Sequence, residues 1–536
     1  MVYFERWKVK SAFCHIMNAE QSKPVRLGKS VHTDVFIASC RSAGFFFCPH
    51  KLYCIKAFIL TEKIYTKERG YQMKLVYDIN DKPKFSQNIV FAFQQILAII
   101  TATILVPLLV NQNGVNGINL HMDIAAALFG AGMGTLVYLL FTKGKSPAFL
   151  GSSFAFLQSM YNAVVFGYFG IIVGAVLAGL VYAVIALVIH FAGTKWIDKL
   201  MPPVIIGPTV ALIGLGLAGG AISNLTSATA AGMGYNLIAI LCGISTLVIT
   251  IIASVKGGKT MRLIPFIIGI AGGYIIASIF TIFGEVFNCD YLKIVDYSAI
   301  VNNFKTLSLE SFIRVPDFAF VEAFREVTSE GFAFSLADLG SLALLFVPVA
   351  FVVFAEHIAD HKNLSSIINR DLLGSEPGLK RTLLGDGVGS MVGAFFGGCA
   401  NTTYGESVGC VAITGNASVS TIILTAIMAL LLSFLTPIVA IIETIPSCVI
   451  GDICVALYGF IAVSGLRMLK NVNLDENKNL FVVSTILVCG IGGLTLNFGK
   501  VSLTNIATAL ILGIIVNLIV NAKSNKKAET ETTEDK

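Results

Sequence analysis

Charge is scarce in this sequence. Asp, Glu, Lys and Arg make up 13% of its 536 residues, against 55% hydrophobic residues, whereas a soluble globular chain carries roughly 25% charged residues. With a mean hydropathy of +0.79, a soluble enzyme is excluded, and recurring apolar runs of about 20 residues exclude a single-span receptor as well. Tryptophan falls to 2 residues. There is no Walker-type phosphate loop, which removes ATP as the direct energy source, and neither an H-E-x-x-H helix nor a convincing metal cluster supports a membrane enzyme. A secretory signal is missing too, because no single apolar core of about 7 to 15 residues with a small-residue cleavage site lies near the start. Glycine is abundant: 50 residues suit closely packed membrane helices with several backbone breaks, since small side chains let helices approach.

The net charge of +6 belongs to the first 72 residues, which hold 12 Lys and Arg against 5 Asp and Glu; the remainder balances at 26 against 27. This leader carries Cys14, Cys40, Cys48 and Cys54 without a C-x-x-C pair and scatters His15, His32 and His50, so it reads as no metal site. Its apolar pieces, 44–48 and 55–60, are too short to span. Met73 opens a short polar lead into the first span, and we expect translation to begin there, with residues 1–72 a gene-start error. The other seven cysteines sit mostly inside spans, as small buried hydrophobes rather than disulfides.

Hydropathy marks twelve helices, near 89–110, 123–141, 169–190, 202–219, 235–254 and 262–284, then near 340–357, 382–398, 418–437, 445–465, 479–495 and 501–520. Two further apolar segments, about 147–165 and 402–416, are interrupted by Gly, Ser, Thr and Asn; they become the third and tenth of about fourteen crossings. Alternate loops collect Lys143 and Lys145; Lys195 and Lys199; Lys256, Lys259 and Arg262; Lys362, Arg370, Lys380 and Arg381; and Arg467, Lys470 and Lys478, while the loops at 111–122, 219–234, 398–404 and 438–444 have no Lys or Arg. Short cytoplasmic loops are the positive ones, so both termini are expected in the cytoplasm and the long 285–336 segment outside. An odd number of crossings per half means that a second half built like the first enters the membrane inverted. Interrupted segments at matching positions of the two halves point to a transporter's midplane site.

The third segment reads Pro147-Ala-Phe-Leu-Gly-Ser-Ser-Phe-Ala-Phe156. Its serines offer hydroxyls and Phe154 or Phe156 can stack on a flat ring, with ordinary helix packing as the alternative. The tenth places Glu406 about one turn into apolar surroundings, where a carboxylate is costly unless protonated, paired or used. Near the end of the eighth crossing, Glu356 and Asp360 are spaced i, i+4 on one helical face with His357 on another. Glu356 is read at depth, and Asp360 and His361 near the cytoplasmic end. A buried carboxylate can accept ring N–H donors and couple binding to a proton. Metal binding by Glu356, His357, Asp360 and His361 would need ligands from more than one face, so no metal is expected. Gln94 and Gln95 either hydrogen-bond a substrate or bridge helices. Asp452 reads as an interfacial residue, and His190, Asp338, Asp386 and Glu443 as solvated span ends.

These motifs resemble the nucleobase–ascorbate transporters, also called nucleobase–cation symporter-2, from about Lys84 to the C-terminal tail. Ala355-Glu-His-Ile and Asn401-Thr-Thr-Tyr-Gly-Glu-Ser-Val-Gly-Cys-Val-Ala-Ile-Thr-Gly415 are similar to the family's eighth- and tenth-helix signatures, and Pro147–Phe156 to its third. Within the family, Thr-Thr-Tyr-Gly-Glu looks like the bacterial uracil carriers. The resemblance implies an all-α polytopic membrane protein of 14 transmembrane segments in two inverted seven-segment repeats, with short antiparallel strands in segments 3 and 10. It implies a core of residues 85–198 and 336–437, a gate of 200–335 with the external loop and 440–522, and a charged cytoplasmic tail at 523–536. An elevator-like carrier of the plasma (inner) membrane would then move uracil with a proton. A homodimer in membrane lipid, without cofactor or nucleic acid, is the implied state.

The resemblance also implies the site. Phe154 would stack on the pyrimidine, Glu356 would accept its N–H groups and the Gly405 N–H would face a carbonyl, with Ser153, Tyr404, Glu406 and Gln95 around the ring. Glu356, Asp360, Glu406 and His361 would couple the proton. Three departures stand out: Gln94-Gln95 replaces Gln-His, Asp360 stands where uracil carriers have His, and Ser407 replaces Asn. Two rival readings are a xanthine or urate carrier of the same fold and an anion carrier or channel of the same architecture; two carboxylates facing the site argue against an anion.

Overall fold

The computed structural model describes residues 75–112, 120–227, 234–498 and 501–531; the leader, residues 1–72, lies outside the described residues. Long apolar runs form α1 (Phe85–Gln112) and α2 (Ile124–Phe141). Strand β1 (Leu150–Ser152) then passes through a 3-10 turn (Phe154–Phe156) into the short α3 (Leu157–Ala163), followed by α4 (Gly167–Ala192), α5 (Pro203–Thr226), α6 (Leu237–Lys256) and α7 (Pro265–Val286). After the short α8 (Ala319–Thr328), the order returns: α9 (Leu336–Ile368), α10 (Leu379–Gly397), strand β2 (Asn401–Thr403) opening into α11 (Gly405–Thr414), and α12 (Val419–Leu432). A short α13 (Thr436–Glu443), α14 (Ser447–Met468), α15 (Asn477–Ile491), a hairpin of β3 (Leu496–Phe498) and β4 (Val501–Leu503), and α16 (Asn505–Glu531) complete it. The protein is a mostly helical, multi-pass membrane protein. Among the described residues, nine helical segments are long and apolar enough to cross a membrane, and α12 and α15 are apolar but shorter. Of the twelve runs marked by hydropathy, the remaining one is α10, whose 19 residues include Lys380, Arg381 and Asp386.

Two boundaries differ from the hydropathy reading. The run at 418–437 breaks at residues 433–435, and α13 restarts with Pro437 in its first turn, where the missing N–H is no loss. The run from 501 begins as a hairpin, because Leu496-Asn-Phe and Val501-Ser-Leu alternate with period two.

The helices pack as two groups. In one, α2 lies against α10 and α12, and α10 against α4; in the other, α5 lies against α14, α15 and α16, and α6 against α7 and α14. Glycine sets the closeness of the first group. A β-carbon on Gly130 would fall 2.4 Å from the Gly393 carbonyl oxygen, and one on Gly134 would fall 2.6 Å from that of Gly389, so these i, i+4 glycines let α2 and α10 touch backbone to backbone. All seven described cysteines are unpaired, five of them buried.

Each half's interrupted crossing is pinned from elsewhere in the chain. The Glu326 carboxylate accepts from the N–H groups of Tyr168 and Phe169, both at 2.9 Å, and so caps α4. Gly167, at φ +67°, leaves room for that carboxylate. On the other side, the Ala417 and Val419 N–H groups donate to the carbonyls of Tyr77 and Ile79 at 2.9 and 3.1 Å, fixing the turn from α11 into α12.

Candidate functional site

β1 and β2 pair antiparallel, Leu150 opposite Thr403 and Ser152 opposite Asn401, and every strand residue is buried. Because the strands run in opposite directions, the helical turns that follow them leave the pair at opposite ends, as two oppositely oriented repeats require. Three residues at about 3.3 Å each put those ends about 10 Å apart. Neither helical start, at Phe154 or at Gly405, has a side-chain cap.

Carboxylates gather here. Helix α9 carries Glu356, whose Oε2 is buried without a partner, and Asp360, 8% exposed. Asp360 accepts from the Thr403 hydroxyl at 3.2 Å, and its Oδ1 lies 3.7 Å from where a β-carbon on Gly405 would sit. Glu406 follows at the start of α11, and the three carboxyl groups are within electrostatic reach of one another. No ion pair among the described residues includes any of them.

The other candidates divide. Phe154 is 6% exposed and meets Tyr458 of α14 edge-on, centroids 5.5 Å apart at 81°, so it stands where the two helix groups meet. Ser153 keeps a buried Oγ without a partner while its N–H donates to the Ala400 carbonyl at 2.9 Å. Tyr404 serves the strand pair instead: its N–H donates to the Phe149 carbonyl at 3.0 Å and its hydroxyl to that of Ser152 at 2.8 Å. Gln95 bridges helices, donating through Nε2 to Ser407 Oγ at 2.5 Å, whereas the Gln94 Oε1 is buried without a partner.

His361 does not join the carboxylates, and neither it nor Asp360 lies at an exposed helix end. His361 is 1% exposed. Its Nδ1–H donates to the His357 carbonyl at 2.9 Å, and its Nε2 lies 2.8 Å from the Tyr138 hydroxyl, which in turn donates to Ser146 Oγ at 2.7 Å. His357 pairs with Asp386 (Nδ1 to Oδ2, 2.7 Å) and meets Thr382 Oγ1 at 3.0 Å. Asp386 and Asp452 correct the sequence reading: Asp386 is fully buried and Asp452 is 2% exposed with an unpartnered Oδ2. The missed signal was Gly385-Asp-Gly387, a carboxylate between glycines two turns into a membrane helix, which by default is not a solvated end. Gly405-Glu-Ser-Val-Gly409 also spells the G-x-S-x-G of a hydrolase elbow, but Ser407 Oγ is fully buried and accepts from Gln95 and the Phe149 N–H, with no histidine bonded to it.

Paired interrupted crossings with buried carboxylates beside them are an arrangement that suits a membrane transporter. The profile described as Permease family (Xan_ur_permease) matches residues 86–498, and the chain belongs to that family. It is 38% identical over 453 residues to the uracil permease of Bacillus caldolyticus, covering 83% of this chain and 95% of that one. It is 37% identical over 464 residues to that of Bacillus subtilis (strain 168), covering 85% and 98%, and 34% identical over 443 residues to that of Escherichia coli (strain K12), covering 82% and 93%. Among solved structures it is similar to the transmembrane domain of the cyanobacterial bicarbonate transporter BicA, with a TM-score of 0.50 and 14% identity over 82% of this chain and 99% of that one. That likeness shows a shared fold.

Proposed function

We propose that this protein imports uracil together with a proton across the plasma membrane, with both termini in the cytoplasm. The observation that carries the reading is the β1·β2 pair with Glu356, Asp360 and Glu406 gathered beside it. The pair offers N–H donors at both ends for the ring carbonyls of a flat polar base, and Glu356 offers an acceptor for its ring N–H. Three neighbouring carboxyl groups without a cationic partner suit proton uptake and release linked to binding. The uracil permease names of the relatives support this substrate.

The two packing groups support a core of residues 85–198 and 336–437 moving against a gate of 200–335 and 440–522, with Phe154 and Tyr458 at the boundary. The apolar outer faces of α6 and α7, including Ile244, Val248, Ile275, Ile279 and Ile282, suit contact with lipid. The test is radiolabelled uracil uptake in cells lacking their own uracil carrier. Uptake should collapse with a protonophore and compete with unlabelled uracil but not xanthine. Uptake of xanthine in place of uracil would overturn the substrate, and uptake indifferent to the protonophore would overturn the coupling.

A further inference from the structure

The strand ladder runs out on one side. Leu150 pairs with Thr403, and one step further Phe149 should continue the pairing, but the opposite chain turns into α11 after Tyr404. The Phe149 carbonyl still receives the Tyr404 N–H at 3.0 Å. Its own N–H has no strand carbonyl left, and a buried donor without an acceptor is costly. Ser407 supplies the acceptor: its Oγ reaches back from the first turn of α11 to the Phe149 N–H at 3.1 Å. The same oxygen takes the Gln95 Nε2–H from α1 at 2.5 Å, and that nitrogen also lies 3.4 Å from the Ser407 carbonyl. A hydroxyl has two acceptor sites, and both are filled. Ser407 is fully buried and Gln95 is 3% exposed.

We infer that Ser407 and Gln95 act as a positioning pair for the substrate site. One oxygen joins α1, the entry to β1 and the start of α11, next in sequence to Glu406, and so fixes the Gly405–Glu406 end of the strand pair against α1. The short Ser407 side chain is met by the amide of Gln95. Gln95 is thereby a positioning residue and not a ligand through its amide nitrogen. The inference rests on the uracil reading.

The test is a double-mutant cycle on the full chain, purified in lipid nanodiscs, with the uracil dissociation constant as readout and thermal unfolding as a check on folding. Ser407→Ala should weaken uracil binding by about tenfold or more, because two buried donors lose their acceptor. Gln95→Leu should weaken it by about threefold. The double variant should bind like Ser407→Ala alone, because the interaction lost is shared. Unchanged affinity in Ser407→Ala, or losses that multiply in the double variant, would overturn the inference. If Ser407→Ala does not fold, Gln95→Leu decides, since it leaves the Ser407–Phe149 bond in place, and unchanged affinity would overturn the pairing. Wild-type protein that binds no uracil would overturn both readings, whereas wild-type binding with variants of native affinity overturns this one alone.

Discussion

The two interrupted crossings have the same architecture and opposite chemistry. Both run strand, uncapped helical start, short helix. The third presents Ser153 and Phe154 and holds no charge; the tenth presents Gly405 and Glu406, faces Asp360, and is tied to α1 through Ser407. Their supports differ as well. The third is finished by Glu326 capping α4, and the tenth by the backbone of Tyr77 and Ile79. The same strand-and-helix scaffold is thus uncharged in one crossing and lined by carboxylates in the other, and the two need not be interchangeable.

The comparison breaks most severely at the charged side. Glu406→Gln and Glu356→Gln should each lower uracil uptake by about a hundredfold or more while the protein still reaches the membrane, because each keeps the shape and removes a carboxylate from the site. Uptake measured alongside surface abundance checks this. A different effect is expected at Asp386, which is bonded to His357 of the helix that carries Glu356 and Asp360. Asp386→Ala should destabilise the purified protein by about 1–3 kcal/mol in thermal or denaturant unfolding, since it leaves the buried His357 Nδ1 without its hydrogen-bond partner.

The uncharged side should be more forgiving. Phe154→Ala is expected to raise the uracil KM by about tenfold with the protonophore sensitivity intact, which initial-rate uptake would show. If Phe154→Ala instead removed the proton dependence, the division of labour between the repeats would fall. The smallest effect lies at the support of the third crossing. Glu326→Ala should cost about 0.5–2 kcal/mol through the lost helix cap, read as a lower unfolding temperature with the affinity for uracil unchanged.

Much of this comparison was legible in the sequence. Apolar runs gave the helices, and interruption by Gly, Ser, Thr and Asn marked about 147–165 and 402–416 as the broken segments, whereas strands in them were implied only by the family resemblance; they fall at Leu150–Ser152 and Asn401–Thr403. Glu356, Asp360 and Glu406 were legible for the same cause: a carboxylate in a membrane helix is rarely idle. Partnership was not. Nothing in the spacing of His361 says that its ring turns to Tyr138, 223 residues away, while its neighbour Asp360 turns to Thr403. Asp386 read as a span end because Lys380 and Arg381 lie close before it, and only the packing of α9 on α10 brings it to His357. Tyr404 and Gln95 were placed around the ring by the family resemblance, Gln95 with helix bridging as its alternative, and nothing in their local sequence announces the long-range hydrogen bonds to Ser152 and Ser407.

The most direct test of the central claim is proton uptake driven by uracil in reconstituted vesicles that trap a pH indicator. We expect added uracil to acidify the lumen in wild-type vesicles, xanthine to leave it unchanged, and Glu406→Gln to abolish the signal. Labelled uracil that accumulates in wild-type vesicles without any change in lumenal pH would contradict the account.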